Sequence, residues 1–172
     1  MRIAASCATL GYNRGMSPGR LCALIPALLL AISCSSPVDV KQSVQVTDVS
    51  SGWFDAGIVD GANKLVPSVT FRLRDSSGDV SRLAMNIIFK FADNGETHEE
   101  IFKQRVDFEG GQTALLTFRA QVGFTGTPPQ SRADMLKNSF FRDMDAVVLV
   151  RQQSAQWVEL LQVRIERQLL IH

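Results

Sequence analysis

The sequence predicts an all-β protein, an antiparallel β-sandwich of about seven strands with one short helix near residues 131–139. Three observations predict it. Period-two alternation of apolar and polar residues dominates from about Lys41 onward. Turn residues recur at the spacing typical of sandwiches, and no stretch alternates strand with helix as an α/β chain would.

The elements follow in order. In Val44-Gln45-Val46-Thr47-Asp48-Val49 the valines share a face except for the last, which predicts a register change or bulge near Asp48. A long loop is expected over residues 50–65. Val69, Phe71 and Leu73 then alternate with Thr70, Arg72 and Arg74; Pro67 marks the start of this strand and Asp75-Ser76-Ser77-Gly78 its end. Leu83, Met85, Ile87, Phe89 and Phe91 put odd positions inward, and Asp93-Asn94-Gly95 reads as a hairpin turn because Asn-Gly tolerates positive φ. Residues 98–108 form a more polar strand whose Glu99, Glu100, Lys103 and Arg105 suit a sheet edge, with Ile101 or Phe102, Val106 and Phe108 as anchors.

Past the Gly110-Gly111 turn, Ala114, Leu116 and Phe118 alternate with Leu115, Thr117 and Arg119. Ser131 with Asp134 three residues on resembles a capping box and starts the helix. Residues 146–151 and 157–167 close the set as a hairpin. Strand number and turn spacing favour a sandwich of immunoglobulin-like type.

Ahead of this domain lies an apolar run over residues 21–32, preceded by Arg14 and Arg20 and followed by Ser33-Cys34-Ser35-Ser36-Pro37. Basic residues, a short apolar stretch and small residues at its end make a secretory signal. Spanning a bilayer takes roughly 20 apolar residues, and this run is shorter and contains Pro26. Residues 1–33 are therefore read as a signal peptide, 34–40 as the modified N-terminus and tether, and 41–172 as the domain. Met16-Ser17-Pro18-Gly19-Arg20 makes a basic n-region by itself, so Met16 is an alternative start.

Leu30-Ala31-Ile32-Ser33-Cys34 resembles the lipobox of bacterial lipoproteins, with Leu30 one step further from the cysteine than the family usually places it. The resemblance implies cleavage before Cys34, a diacylglyceryl thioether on its sulfur and an acylated amino group. Several acyl chains make a durable anchor, at roughly 0.8 kcal/mol per buried methylene. An Asp after the cysteine retains such proteins at the inner membrane. Ser35 at that position implies the periplasmic face of the outer membrane.

Removing the leader changes what the composition means. The whole chain has 18 Lys and Arg against 17 Asp and Glu. Arg2, Arg14 and Arg20 precede Cys34 and every acid follows it, so the mature part holds 15 basic and 17 acidic residues, a net charge of −2. A domain of that balance has no general attraction for nucleic acid. Cys7 and Cys22 fall in the leader, leaving Cys34 with no partner for an intramolecular disulfide.

Catalytic signals are not found in the sequence, and no cofactor or metal is expected. His98 sits in an acidic stretch that reads as a solvated edge, and His172 is terminal; neither has the setting of a general base. Asp48, Asp55 and Asp60 among glycines do not follow the spacing of a calcium loop. Asp143 and Asp145 share a face if extended and read as a solvated strand end.

The stretches holding Val69 to Gly78, Ile87 to Glu96 and Ala114 to Phe118 are similar to FxLYD-type and related immunoglobulin-like domains of extracytoplasmic bacterial proteins. That family brings no catalytic residues. Aromatic residues are the functional lead: Trp53 and Phe54 in the expected long loop, Phe124 in a Gly- and Pro-rich loop, and Phe140 after the helix, with Phe141 beside it. They form an interaction patch or fold back to plug an end of the sandwich, and Trp157 is expected in the core.

Two functions follow. The first is a lipid-anchored, noncatalytic module that binds another envelope protein. The alternative is a small-molecule or lipid-binding periplasmic lipoprotein with a cavity between the sheets, lined by Leu83, Met85, Phe89, Phe118 and their neighbours.

Overall fold

The computed structural model describes residues 39–80, 82–108 and 112–170. Cys34, the Gly110-Gly111 turn and His172 lie outside them. Within these residues the chain forms α1 (Val40–Ser43), β1 (Val44–Val59), β2 (Ala62–Asp75), β3 (Leu83–Phe91), β4 (Thr97–Lys103), β5 (Thr113–Arg119), β6 (Phe124–Gly126), α2 (Arg132–Lys137), β7 (Met144–Gln152), β8 (Val158–Arg164) and β9 (Leu169–Leu170).

Two sheets result. One has the order β5-β2-β1-β9 with β6 also on β2; the other has the order β4-β3-β7-β8. Strands β5, β2 and β1 neighbour one another as E, B and A do in an immunoglobulin sandwich, and β4, β3, β7 and β8 as C′, C, F and G. Nine strands replace the expected seven, the two additional ones being the short β6 and β9. The pairing of β9 with β1 is parallel.

The alternating residues meet between the sheets. Val69, Phe71 and Leu73 of β2 face Leu83, Met85, Ile87 and Phe89 of β3 across a core that also takes Ala146, Val148 and Val150 of β7. These residues are sealed from water, so removing their apolar area from solvent is the main force holding the sheets together. Leu83, Met85, Phe89 and Phe118, the expected cavity lining, belong to this packed core, with Phe118 stacked on Phe71 at 6.0 Å.

The predicted bulge is present. The β1–β2 register shifts between Thr47 and Ser50, and Asp48 takes φ 52° while its carboxylate pairs with Arg72 at 3.0 Å. The expected loop over 50–65 is instead the continuation of β1 into a hairpin. Asp60 and Gly61, at φ 51° and 79°, make its two-residue turn, the positive-φ pair that hairpins prefer.

Pro67 lies inside β2 rather than at its start. Its carbonyl accepts from the Ala120 N–H on the β5 side. A strand residue directs its carbonyl and its nitrogen to the same neighbour, so the missing N–H falls where the chain leaves the sheet between β5 and β6.

The strands run between two ends. At the root end, α1 packs on β7 and β8 with Val40 buried, and the Ser76 N–H and hydroxyl both donate to the Ser43 carbonyl at 2.9 Å. At the far end lie the β1–β2 hairpin, β6, α2, the β3–β4 turn and β9. The helix forms as expected but shorter: the Ser131 hydroxyl accepts from the Asp134 N–H at 3.1 Å, and Met135 and Leu136 are its buried face.

Candidate functional site

The far end gathers the aromatic residues. Trp53 sits in β1, fully buried, and meets Phe124 of β6 at 5.4 Å and Phe141 at 4.5 Å, both edge-on. Phe124 and Phe141 lie 4.5 Å apart. Edge-to-face clusters of this kind add about 0.5–1.5 kcal/mol per pair beyond area burial. The three segments do converge, and Trp53 and Phe141 act as the plug. The expectation of Trp53 as a loop residue open to partners is thus corrected: it is a strand residue with no exposed surface.

Phe54 points to the other face of β1, as period two requires, where the Arg119 guanidinium covers its ring at 3.8 Å. Phe140 alone projects outward, with 87% of its surface exposed. Beside it, Phe124, Gln130, Met135, Asn138 and Phe141 enclose a depression of about 140 Å³.

Local contacts fix this end. Asp55 of β1 pairs with Arg132 of α2 at 2.5 Å, and the Gly57 N–H donates to the same carboxylate. Desolvation pushes the Asp55 carboxyl up, but Arg132 and the Gly57 N–H outweigh it and hold it below the ordinary value. The Asn63 amide donates to the Gln130 carbonyl at 2.8 Å. Gly126 lies against Met135 and Gly123 against the Leu65 carbonyl, close enough that a Cβ at either would collide.

A second, open groove of about 380 Å³ adjoins the first, lined by Asp93, Arg142, Asp143, Arg164 and Arg167 among others. Its charges are matched within the chain. Arg142 donates to Asp93 at 2.7 Å, Arg164 to Asp145 at 2.5 Å and Arg167 to Asp143 at 2.6 Å. The Asp143 hydrogen bond outweighs desolvation and holds the Arg167 guanidinium above its ordinary value. Arg167 also donates to the Leu136 and Phe141 carbonyls, tying the chain after β8 to α2 and to the segment that follows it. Asp143 and Asp145 therefore bind different arginines.

The other candidates are dispersed. Asp48, Asp55 and Asp60 engage Arg72, Arg132 and a hairpin turn respectively, strung along β1. His98 lies on the edge strand β4, as expected, but is half-buried rather than freely solvated. Its Nε2 lies 3.1 Å from the Val122 carbonyl and its ring meets Phe91, while the neighbouring Glu99 accepts from the Gln121 and Val122 N–H groups at 2.8–2.9 Å. This pair clasps the β5–β6 crossing to β4. Trp157 is also corrected: it is half-buried, edge-on to Phe102 at 6.1 Å with the Arg151 guanidinium 4.7 Å from its ring.

Among the described residues, no group of three His, Cys, Asp or Glu side chains could hold a metal ion, and no helix is long and apolar enough to cross a membrane. The sequence reading missed the exposed Ile58 and Val59 of the hairpin; the signal was Asp60-Gly61 between alternating residues.

No family model and no curated protein matches the chain. A solved structure, an X-ray structure of the structural-genomics target SoR45, is 16% identical, with a TM-score of 0.30, over 74% of this chain and 85% of that one. So slight a likeness adds nothing to the architecture.

Proposed function

We propose that the chain is a lipid-anchored, noncatalytic module of the bacterial cell envelope, held by Cys34 on the periplasmic face of the outer membrane and binding another envelope protein. One observation carries the reading: a basic, then apolar, then small-residue leader ends at Cys34, and the packed domain begins at Val40, only a short tether later. The similarity to FxLYD-type domains supports an extracytoplasmic role without chemistry. The arginine and aspartate side chains of the far-end groove are committed to one another, which supports the noncatalytic part of the reading.

Expression with labelled palmitate, comparing wild type with Cys34→Ala and separating inner from outer membrane, tests it. Label in the outer membrane that vanishes in the variant is the expected result. Equal or absent label overturns the anchor.

A further inference from the structure

We propose that two copies of this chain pair antiparallel through the open edge of β5, about a two-fold axis at Leu115; the inference does not rest on the Cys34 anchor. β5 ends the β5-β2-β1-β9 sheet. The Gln112 carbonyl accepts from the Asp75 N–H at 2.8 Å, and the Ala120 N–H donates to the Pro67 carbonyl at 3.0 Å. Residues two apart on a strand face the same neighbour, so Ala114, Leu116 and Phe118 direct their backbone groups to β2. Thr113, Leu115 and Thr117 direct theirs the other way, where no described strand lies. The edge is therefore a row of N–H and C=O groups ready to pair.

The other edges carry devices that keep strands from pairing with a stranger. β4 has Glu99, Glu100 and Lys103, and its His98 and Glu99 clasp the crossing at Gln121 and Val122. β8 has Glu159 and Arg164, a register shift beside Leu149, and the Ser51 hydroxyl donating to its Arg164 carbonyl at 2.7 Å. β9 is two residues long. From Thr113 to Phe118, by contrast, β5 has no charge, no proline and no register shift, and Leu115 is 52% exposed.

Self-complementarity selects a second copy as the occupant. About an axis at Leu115, each Leu115 lies opposite the other, Thr113 opposite Thr117 of the second copy, and Ala114 opposite Leu116. The outward N–H and C=O groups of Thr113, Leu115 and Thr117 then all find partners. The exposed leucines cover each other, and threonine faces threonine as Thr70 and Thr117 already do at 2.9 Å. No like charges oppose, because this run has none. The two-fold closes the edge, so pairing stops at two copies. One short edge buries less than the ~1,200 Å² of a standard interface, so the dimer is weak.

Amide hydrogen exchange on the full chain, purified in detergent, reads the edge directly. Between about 5 and 500 µM protein, exchange at Leu115 and Thr117 is expected to slow at least threefold. Leu115→Lys and Leu115→Glu should each abolish the slowing at Thr117, and an equimolar mixture of the two should restore it. Exchange that ignores concentration overturns the proposal: if fast, the edge stays open, and if slow, a segment of the same chain covers it. So does a dimer that both Leu115 variants retain, or growth beyond two copies in native mass spectrometry. A mixture that fails to restore the slowing overturns the two-fold at Leu115. The wild-type measurement stands whether or not the variants fold.

Discussion

The Asp75 carboxylate holds the loop that fastens the root of the tether, and replacing it should loosen the domain where the anchor joins. Asp75 is 4% exposed. One of its oxygens accepts from the Ser77 N–H at 3.0 Å, the Ser77 hydroxyl at 2.9 Å and the Gly78 N–H at 3.0 Å; the other accepts from the Val80 N–H at 3.0 Å. Hydrogen bonds to a charged group contribute about 1.5–3 kcal/mol each. Four on one carboxylate do not add, because Ser77 and Gly78 are exposed and their freed N–H groups would find water. Asp75→Ala should therefore cost about 3 kcal/mol, and Asp75→Asn less, since only its amide nitrogen opposes an N–H.

Acid gives an independent readout. Desolvation pushes the Asp75 carboxyl up, but these donors outweigh it and leave the group below its ordinary value. A depressed folded value means the stabilisation is fully present above the unfolded pKa of about 3.9 and is lost as pH falls through the folded one. Urea unfolding followed by Trp53 fluorescence should show the midpoint of Asp75→Ala about 1–2 M below wild type at pH 7. The gap should narrow toward pH 2. A variant within about 0.5 kcal/mol of wild type at pH 7, or a gap unchanged in acid, would refute the reasoning.

The remaining predictions concern the far end. Trp53→Ala should cost about 3–5 kcal/mol in urea unfolding; Trp53→Phe should cost much less, because the indole N–H has no hydrogen-bond partner among the described residues. Arg132→Ala should lower stability by only about 1 kcal/mol, since its partly exposed pair with Asp55 is screened, and most of that loss should disappear in 1 M salt. Gly123→Ala should cost about 1–3 kcal/mol by driving a methyl into the Leu65 carbonyl, with the largest NMR shifts in β6. Phe140→Ser should leave thermal unfolding unchanged, and a loss above about 0.5 kcal/mol would mean that Phe140 supports the fold.

The strands were legible wherever alternation ran unbroken, as in Val69, Phe71 and Leu73, because one buried face leaves a strict period of two. Asp48 announced its bulge by putting Val49 out of step. The second half of β1 was hidden because a further irregularity between Asp55 and Ile58 breaks the alternation around Gly57, so a strand read as a loop. β9 could not be read at all. Two residues pair in parallel with Trp53 and Phe54 through contacts distant in sequence, including the Gln168 carbonyl that accepts from the Trp53 N–H.

For the site, the sequence brought forward the right aromatic residues but not their directions. Trp53 and Phe54 are neighbours in a strand, and that alone sends one into the plug and the other to Arg119. Phe140 and Phe141 divide similarly once Arg167 secures the Phe141 carbonyl. That second division comes from a tertiary contact that no local pattern carries.

Intact mass spectrometry of the membrane-purified protein tests the central claim most directly. The account predicts a chain that begins at Cys34 and carries a diacylglyceryl group and an amide-linked acyl chain. A chain that retains residues 1–33, or one cleaved elsewhere without lipid, would contradict it.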